Sequence, residues 1–424
     1  KNNITWLLIF LIPGLIYMVW RYSYFGYLLP NTYYAKTGSS IEYLKAGWDY
    51  FWEFAKNYGL YGALVAIILI NLKSKERYYE YLYLIMIFFV FSVYVIIIGG
   101  DVLKPSRFFV PIVPLFYVLV QESIHQIINI LSKKKTPSFS PLSPIIITII
   151  LAYITYKIPY ESIKKQGELE NGLVDKMKAT GLWLKNKSSE SGRTLTVAAS
   201  TIGAISYFSD VNLIDMLGLT DKEIAHNPKT IEELSITAVG WKERNYNADY
   251  IISRKPDYIY FSTGIKPSAY GERALFLNDE FRKSYYAYYS KDVIYKRKSD
   301  SEISSNNTTN KNPNYSIKFI YDYVDGLNTM RDKTKLNEAI NKFSSSIKLA
   351  PRDFSYPYQF IGEIYIQNNN KDKAFENFKK ATEIDDYNVL SHYYLYQLYL
   401  EKGDSTKARL SIEKIQKYSP DLIN

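Results

Sequence analysis

Cysteine is absent from the 424 residues, which excludes disulfides, zinc ribbons, Fe–S clusters and cysteine nucleophiles. Histidine is almost absent too. His125, His226 and His392 are the whole supply, too few for a His-rich metal centre. A carboxylate site for a hard cation stays open, so the cofactor is unknown and a divalent cation is one candidate. No G-x-G-x-x-G or Walker string occurs, and nucleotide binding has no support. Acidic residues are scarce at the start of the chain: residues 1–160 hold 14 Lys and Arg against 7 Asp and Glu. That excess sits in a mostly apolar third, which argues for basic loops around membrane spans and against a nucleic-acid domain. Aromatics are plentiful, and 42 residues are Tyr. The chain opens on Lys1 rather than Met, so it reads as a fragment of a longer protein.

Five apolar stretches lie near residues 4–20, 60–72, 81–98, 108–121 and 144–158. Spanning hydrocarbon takes about 20 helical residues. The second, fourth and fifth reach that length only with their flanks, such as the aromatic run before the second and residues 127–131 after the fourth. Five such runs in 160 residues exceed what a soluble domain buries, so residues 1–159 are expected to be a transmembrane bundle, part of a larger one. Lys73, Lys75 and Arg77 follow the second stretch, and Lys133, Lys134 and Lys135 follow the fourth. The positive-inside rule puts both clusters in the cytoplasm. Residues 21–57, 99–107 and everything after the fifth stretch then face outward.

The outward loops carry polar residues beside helix ends. One contains Leu29-Pro30-Asn31-Thr32-Tyr33-Tyr34-Ala35-Lys36; the other runs Gly99-Gly100-Asp101 to Lys104 and Arg107. The glycine pair allows backbone conformations other residues avoid and lets a ligand approach closely. Asp101 can act as a base or hold a cation. Arg107 and Lys104 can hold a phosphate, the first by a planar fork and the second as a point charge. Ordinary interfacial anchoring by Tyr, Lys and Arg explains the same residues without a ligand.

These strings resemble a family of bacterial membrane glycosyltransferases of the multi-span GT-C architecture, which includes the terminal arabinofuranosyltransferases. The 29–36 string is similar to that family's first motif. Gly99-Gly100-Asp101 with Arg107, Phe108, Pro111 and Pro114 is similar to its second. A third likeness lies in Gly203–Phe208, then Ile214-Asp215-Met216-Leu217-Gly218-Leu219-Thr220-Asp221, then His226. The resemblance spans residues 20–265. It implies transfer of a sugar from a polyprenyl-phosphate donor to an acceptor outside the membrane, with inversion. It implies a multi-pass protein of the bacterial cytoplasmic membrane whose later domains are extracytoplasmic. On that basis Asp101 is the catalytic-site candidate, in donor or cation binding. Asn31, Tyr33, Lys36, Lys104 and Arg107 are expected to bind substrate, and Asp215 is a secondary candidate. Such enzymes usually keep their catalytic carboxylate in an early Asp-rich loop. None matches here, so the general base is expected upstream of Lys1.

Residues 160–298 alternate strand and helix signals: 195–199 and 211–215 as strands, a helix start near Gly203, then helix 248–253, a turn and strand 258–261. This favours a small extracytoplasmic α/β domain. Asp215 at a strand end suits a ligand site in such a sheet, and a solvated loop carboxylate fits as well. Residues 299–315 are rich in Ser, Asn and Thr and read as a flexible linker. Residues 316–424 change period. Gly362, Tyr365, Ala374, Phe378 and Ala381 fit the tetratricopeptide pattern, Leu395, Tyr399, Ala408, Ile412 and Pro420 repeat it, and Ala339, Phe343 and Pro351 form an earlier half-match. The repeats are α-helical pairs whose groove would bind a protein partner, or whose surface packs on the α/β domain. The expected architecture is therefore multi-domain. A non-catalytic membrane scaffold that recruits partners through its repeats is the alternative to the enzyme.

Overall fold

The computed structural model describes residues 2–36, 41–58, 78–101, 106–133, 143–236, 245–304 and 312–423. They form two compact units, residues 37–174 and residues 1–36 with 175–424. Most elements are helical, with one five-stranded sheet in the larger unit.

In the smaller unit, helices Ile41–Asn57 and Tyr78–Ile97 pack closely because Gly47 lets the carbonyl of Ile96 approach; a Cβ there would lie 2.0 Å from that oxygen. A 3-10 turn, Arg107–Ile112, contains Pro111 and leads into helix Val113–Lys133. Phe54 and Phe109 stack in the core with ring centroids 4.2 Å apart, beside Phe88 and Phe116. The one acid on this part of Val113–Lys133, Glu122, accepts a 2.9 Å hydrogen bond from the Tyr81 hydroxyl, which satisfies a carboxylate otherwise costly among apolar side chains.

Two helices among the described residues, Ile4–Phe25 and Tyr78–Ile97, are long and apolar enough to cross a membrane. They contain the first and third apolar stretches. The second stretch and the basic residues Lys73, Lys75, Arg77, Lys134 and Lys135 lie outside the described residues. The fourth starts as the 3-10 turn. The fifth is only the beginning of a 49-residue helix, Ser143–Ser191.

The larger unit is built on a mixed sheet. Strands β1 (Thr196–Ala199), β2 (Asn212–Asp215) and β3 (Tyr258–Tyr260) are parallel, and the hairpin β4 (Tyr285–Tyr289) and β5 (Val293–Arg297) closes the other side in the order β2-β1-β3-β5-β4. Both parallel crossovers carry a short helix, Gly203–Ser209 and Ala248–Ser253, as the alternation in the sequence implies. Strand residues alternate between faces. Ile259, Tyr285, Ala287 and Tyr295 point into the main core, while Tyr258 and Tyr288 meet Trp183 on the other face.

Three helix pairs follow: Lys318–Thr329 with Leu336–Leu349, Tyr356–Gln367 with Lys371–Ile384, and Val389–Glu401 with Ser405–Tyr418. Ala339, Ala374 and Ala408 are buried at equivalent places. Gly326 and Gly362 each receive a phenylalanine ring, Phe343 and Phe378, where a Cβ would lie 2.6 Å from the ring edge. Helix ends repeat as well. Asn370 and Asp404 cap their helices by accepting from Lys373 N and Lys407 N, as short polar side chains do at an N-cap. The half-match at 339–351 is thus a full helix pair. Its core is continuous with the sheet's: Phe319, Tyr323, Phe343, Phe354 and Phe360 are buried with Phe276, Phe281 and Tyr295. Residues 300–304 are helical, and Asn312 Nδ2 donates to Lys348 O at 3.0 Å and Ala350 O at 2.7 Å.

The tyrosine-rich packing sets an alkaline limit. Burial pushes the hydroxyls of Tyr258 and Tyr418 from 10.0 up to about 12. The unfolded chain loses these protons first, so this contribution to stability is complete below pH 10 and is lost as pH rises through about 12. At Tyr258 the shift corresponds to about 2–3 kcal/mol by linkage. Denaturation followed together with tyrosinate absorbance should show these phenols ionising in step with unfolding. Independent titration of every tyrosine near 10 with the fold intact would contradict the packing.

Candidate functional site

The first outward string folds as a tight turn and a six-residue helix, Asn31–Lys36. Gly26 adopts φ +78°, and Arg21 Nε donates to Leu28 O at 2.9 Å, closing the segment before Pro30. This short helix packs on helix Lys222–His226. His226 is the centre of the contact. Its ring stacks on Tyr27 at 3.4 Å, lies 4.4 Å from the Tyr34 ring, and places Nε2 3.1 Å from Asn31 Oδ1. A proton on Nε2 would be donated to that amide oxygen. Asn245 Nδ2 ties both partners by donating to Tyr34 O at 3.2 Å and Ala225 O at 2.9 Å. Lys222 Nζ sits 5.1 Å over Tyr27. Burial first, and then the Lys222 charge, lower the His226 pKa below its usual value, which favours a neutral imidazole able to share one proton with a polar neighbour.

Asn31 therefore has a partner 195 residues away. Tyr33 is 46 % exposed, with its ring edge-on to Tyr34 at 5.6 Å. Lys36 ends the short helix, and its side chain lies outside the described residues.

Asp215 is neither a solvated loop carboxylate nor an open site. It is buried at the end of β2, accepting from Leu217 N at 3.0 Å, Thr220 N at 2.7 Å and Thr220 Oγ1 at 3.2 Å. Burial raises its pKa despite those donors. Its role in this structure is to hold the 216–220 turn, which delivers Asp221 to cap the helix carrying His226.

In the smaller unit, Asp101 and Arg107 form a two-point ion pair, Nε to Oδ2 and Nη2 to Oδ1 at 3.4 Å. The Asp101 side chain is 6 % exposed and that of Arg107 55 %. Asp101 thus anchors a guanidinium that keeps one flank toward solvent and lies 5.8 Å over the Phe108 ring. Lys104 lies outside the described residues. The Gly99-Gly100 reading needs correction. Gly99 N donates to Ile96 O at 3.0 Å and Gly100 N to Val95 O at 2.9 Å, with both glycines at positive φ. That is the Schellman termination of helix Tyr78–Ile97. The room left by the missing side chains is filled by Tyr43 and Tyr50, not held open for a ligand. Among the described residues, no group of three or more His, Asp or Glu comes together as a metal site.

Residues 162–317 match a family described as a domain of unknown function, DUF8728. Residues 356–388 match the tetratricopeptide repeat. The chain carries that repeat at the second helix pair. No curated protein matches the chain. The matched domain reaches beyond the sheet to the threshold of the first helix pair, where the common core begins.

The sequence alone does not mark His226, Tyr27 or Tyr34 as binding substrate. His226 already stood at the end of the third family-like string. Its partnership with the first string was not readable, because nothing in either string encodes a contact across that distance.

Proposed function

We propose that this chain is an integral-membrane glycosyltransferase that moves a sugar from a polyprenyl-phosphate donor to an extracytoplasmic acceptor. The observation that carries the reading is the docking of Asn31 on His226. Two family-like strings far apart in sequence are thereby joined, each by its polar residues. In this reading the protein passes several times through the bacterial cytoplasmic membrane, and the sheet and repeats lie outside. Arg107, held in orientation by Asp101, binds the donor phosphate with Lys104 of the same loop. These cations stabilise the negative charge that builds on the departing lipid phosphate. Asn31 and Tyr33 read sugar hydroxyls. A carboxylate deprotonates the acceptor hydroxyl, and displacement in one step inverts the anomeric centre.

The test uses the full chain in proteoliposomes with a panel of polyprenyl-phosphate pentoses and hexoses, scoring donor binding and release of lipid phosphate. Arg107→Lys should weaken donor binding about tenfold or more, because a charged hydrogen bond is worth about 1.5–3 kcal/mol and a point charge cannot copy a fork. Unchanged binding in a folded variant would remove Arg107 from the site. No binding or transfer with any donor would remove the enzyme reading itself.

The tetratricopeptide repeat at residues 356–388 favours a second reading, a membrane scaffold that recruits a protein partner. Donor binding separates the two: a scaffold binds no polyprenyl-phosphate sugar.

A further inference from the structure

Strand β4 meets the second helix pair along a polar seam inside the larger unit. Strand residues alternate between faces, so Tyr289 follows Tyr285 and Ala287 toward the common core, at the strand's end. On helix Tyr356–Gln367, Tyr356, Gln359 and Glu363 recur at helical spacing and share one face. Gln359 is 1 % exposed, and its Nε2 donates to Glu363 Oε1 at 3.0 Å. The Gln359 Oε1 atom and the Tyr289 hydroxyl are both buried and meet no partner within hydrogen-bond geometry. Folded proteins seldom leave two such groups together.

The groups facing Glu363 come from four elements. Gln359 lies on its own helix, Tyr289 on β4, Tyr323 on the first helix pair and Tyr394 on the third. None of them is a cation, and among the described residues no lysine, arginine or histidine acts on Glu363. An ionised carboxylate here is one more acceptor among acceptors. A protonated carboxyl gains an O–H donor, which the amide oxygen of Gln359 and the Tyr289 oxygen both lack. Burial pushes the Glu363 pKa from 4.5 up to about 7, with the Gln359 hydrogen bond opposing.

We propose that Glu363 is a proton-operated clasp: its protonation fastens β4 to the second helix pair, and its ionisation loosens that seam. The carboxyl O–H supplies the donor the cluster is short of. Its loss leaves a negative charge among phenol rings with one amide to answer it, and a buried charge without a counter-ion is costly. The direction follows from linkage. The folded seam holds its proton more tightly than the open chain does, so this stabilisation is complete below 4.5 and is lost as pH rises through about 7. Acid therefore holds sheet and repeats together, and neutral solution lets the end of the hairpin and the second helix pair part more often.

The experiment is amide hydrogen exchange of the full chain in detergent, corrected for intrinsic rates, between about pH 5 and about pH 8. It is read in peptides from β4 and from helix Tyr356–Gln367, with β1 peptides as the control. Wild-type protection at the seam should fall on the order of 50-fold across this range, with a much smaller change in β1. Glu363→Gln copies the shape of the protonated acid and cannot ionise, so its seam should change less than about threefold and be better protected than wild type at the upper pH. Glu363→Met, apolar and of similar length, should show the same flat profile and serves should the glutamine variant fold poorly. A wild-type seam indifferent to pH overturns the clasp, and so does an equal fall in a folded variant. A fall of the same size in β1 overturns the assignment to this seam. None of these outcomes depends on transfer activity.

Discussion

A chain ending at residue 315 is expected to lose its α/β fold along with its repeats. The reason is the common core. Phe319, Tyr323, Phe343, Phe354 and Phe360 are buried against residues of the sheet and its helices, and Phe276 alone faces Tyr323, Phe354 and Tyr356 at ring-centroid distances of 6.0, 5.8 and 6.1 Å. Removing one buried phenylalanine costs about 3–5 kcal/mol. Removing four of them and Tyr323 from one core reaches the roughly 5–15 kcal/mol by which a domain is stable. The truncated chain should aggregate or be digested rapidly in its 175–315 portion, while a chain ending after the first helix pair, at residue 355, should resist better. A protease-resistant 175–315 fragment with native circular dichroism would show the sheet to be self-sufficient.

Gly100→Ala should destabilise the smaller unit by about 2–5 kcal/mol. The left-handed conformation costs a non-glycine residue about 1–2 kcal/mol, and Gly100 has φ +65°. The new methyl would also meet Tyr50 Cβ at 2.5 Å, on a backbone-attached atom that cannot swing away, which adds about 1–3 kcal/mol of overpacking. Gly14→Ala is the control, since nothing lies within 4 Å of its Cβ position. Melting curves in detergent should separate the two clearly. Equal melting points would mean that the Gly99-Gly100 turn is not packed against helix Ile41–Asn57, and the ligand-approach reading of the glycines would return.

The sheet's parallel half was legible in the sequence because short β-branched and small runs, each followed by a helix signal, have few other solutions. The hairpin was not. Tyr285-Tyr286-Ala287-Tyr288-Tyr289 puts tyrosine on both faces, so the period of two that marks a strand is hidden, and Lys296 and Arg297 make β5 look like a surface loop. The repeats announced themselves through Ala374 and Ala408 at matched spacing, and the first pair was half-hidden because it lends its apolar face to the sheet. At the candidate site Asp101 and Arg107 stand in one string, yet each reads alone as a ligand-binding residue, and the ion pair between them was not readable. Gly99-Gly100 was misread because a glycine pair signals close approach without saying what approaches; here it is a tyrosine ring. Asp215 was placed correctly at a strand end, yet its burial and three donors belong to the turn after it.

The ring of contacts that completes the larger unit also dictates when it can form. Trp183 Nε1 donates to Asp421 Oδ2 at 2.8 Å across 238 positions, and Ser419 Oγ donates to Tyr289 O at 2.8 Å. Synthesis adds about 5–20 residues each second, so Trp183 waits roughly 10–50 s for its partner after it has itself been made. During that interval the tyrosine face of β4 stands uncovered, in a topology whose distant pairings already slow folding. The nascent chain therefore carries a sticky, half-built sheet until residues 419–421 arrive, and a holding factor at the site of synthesis would act on that stage.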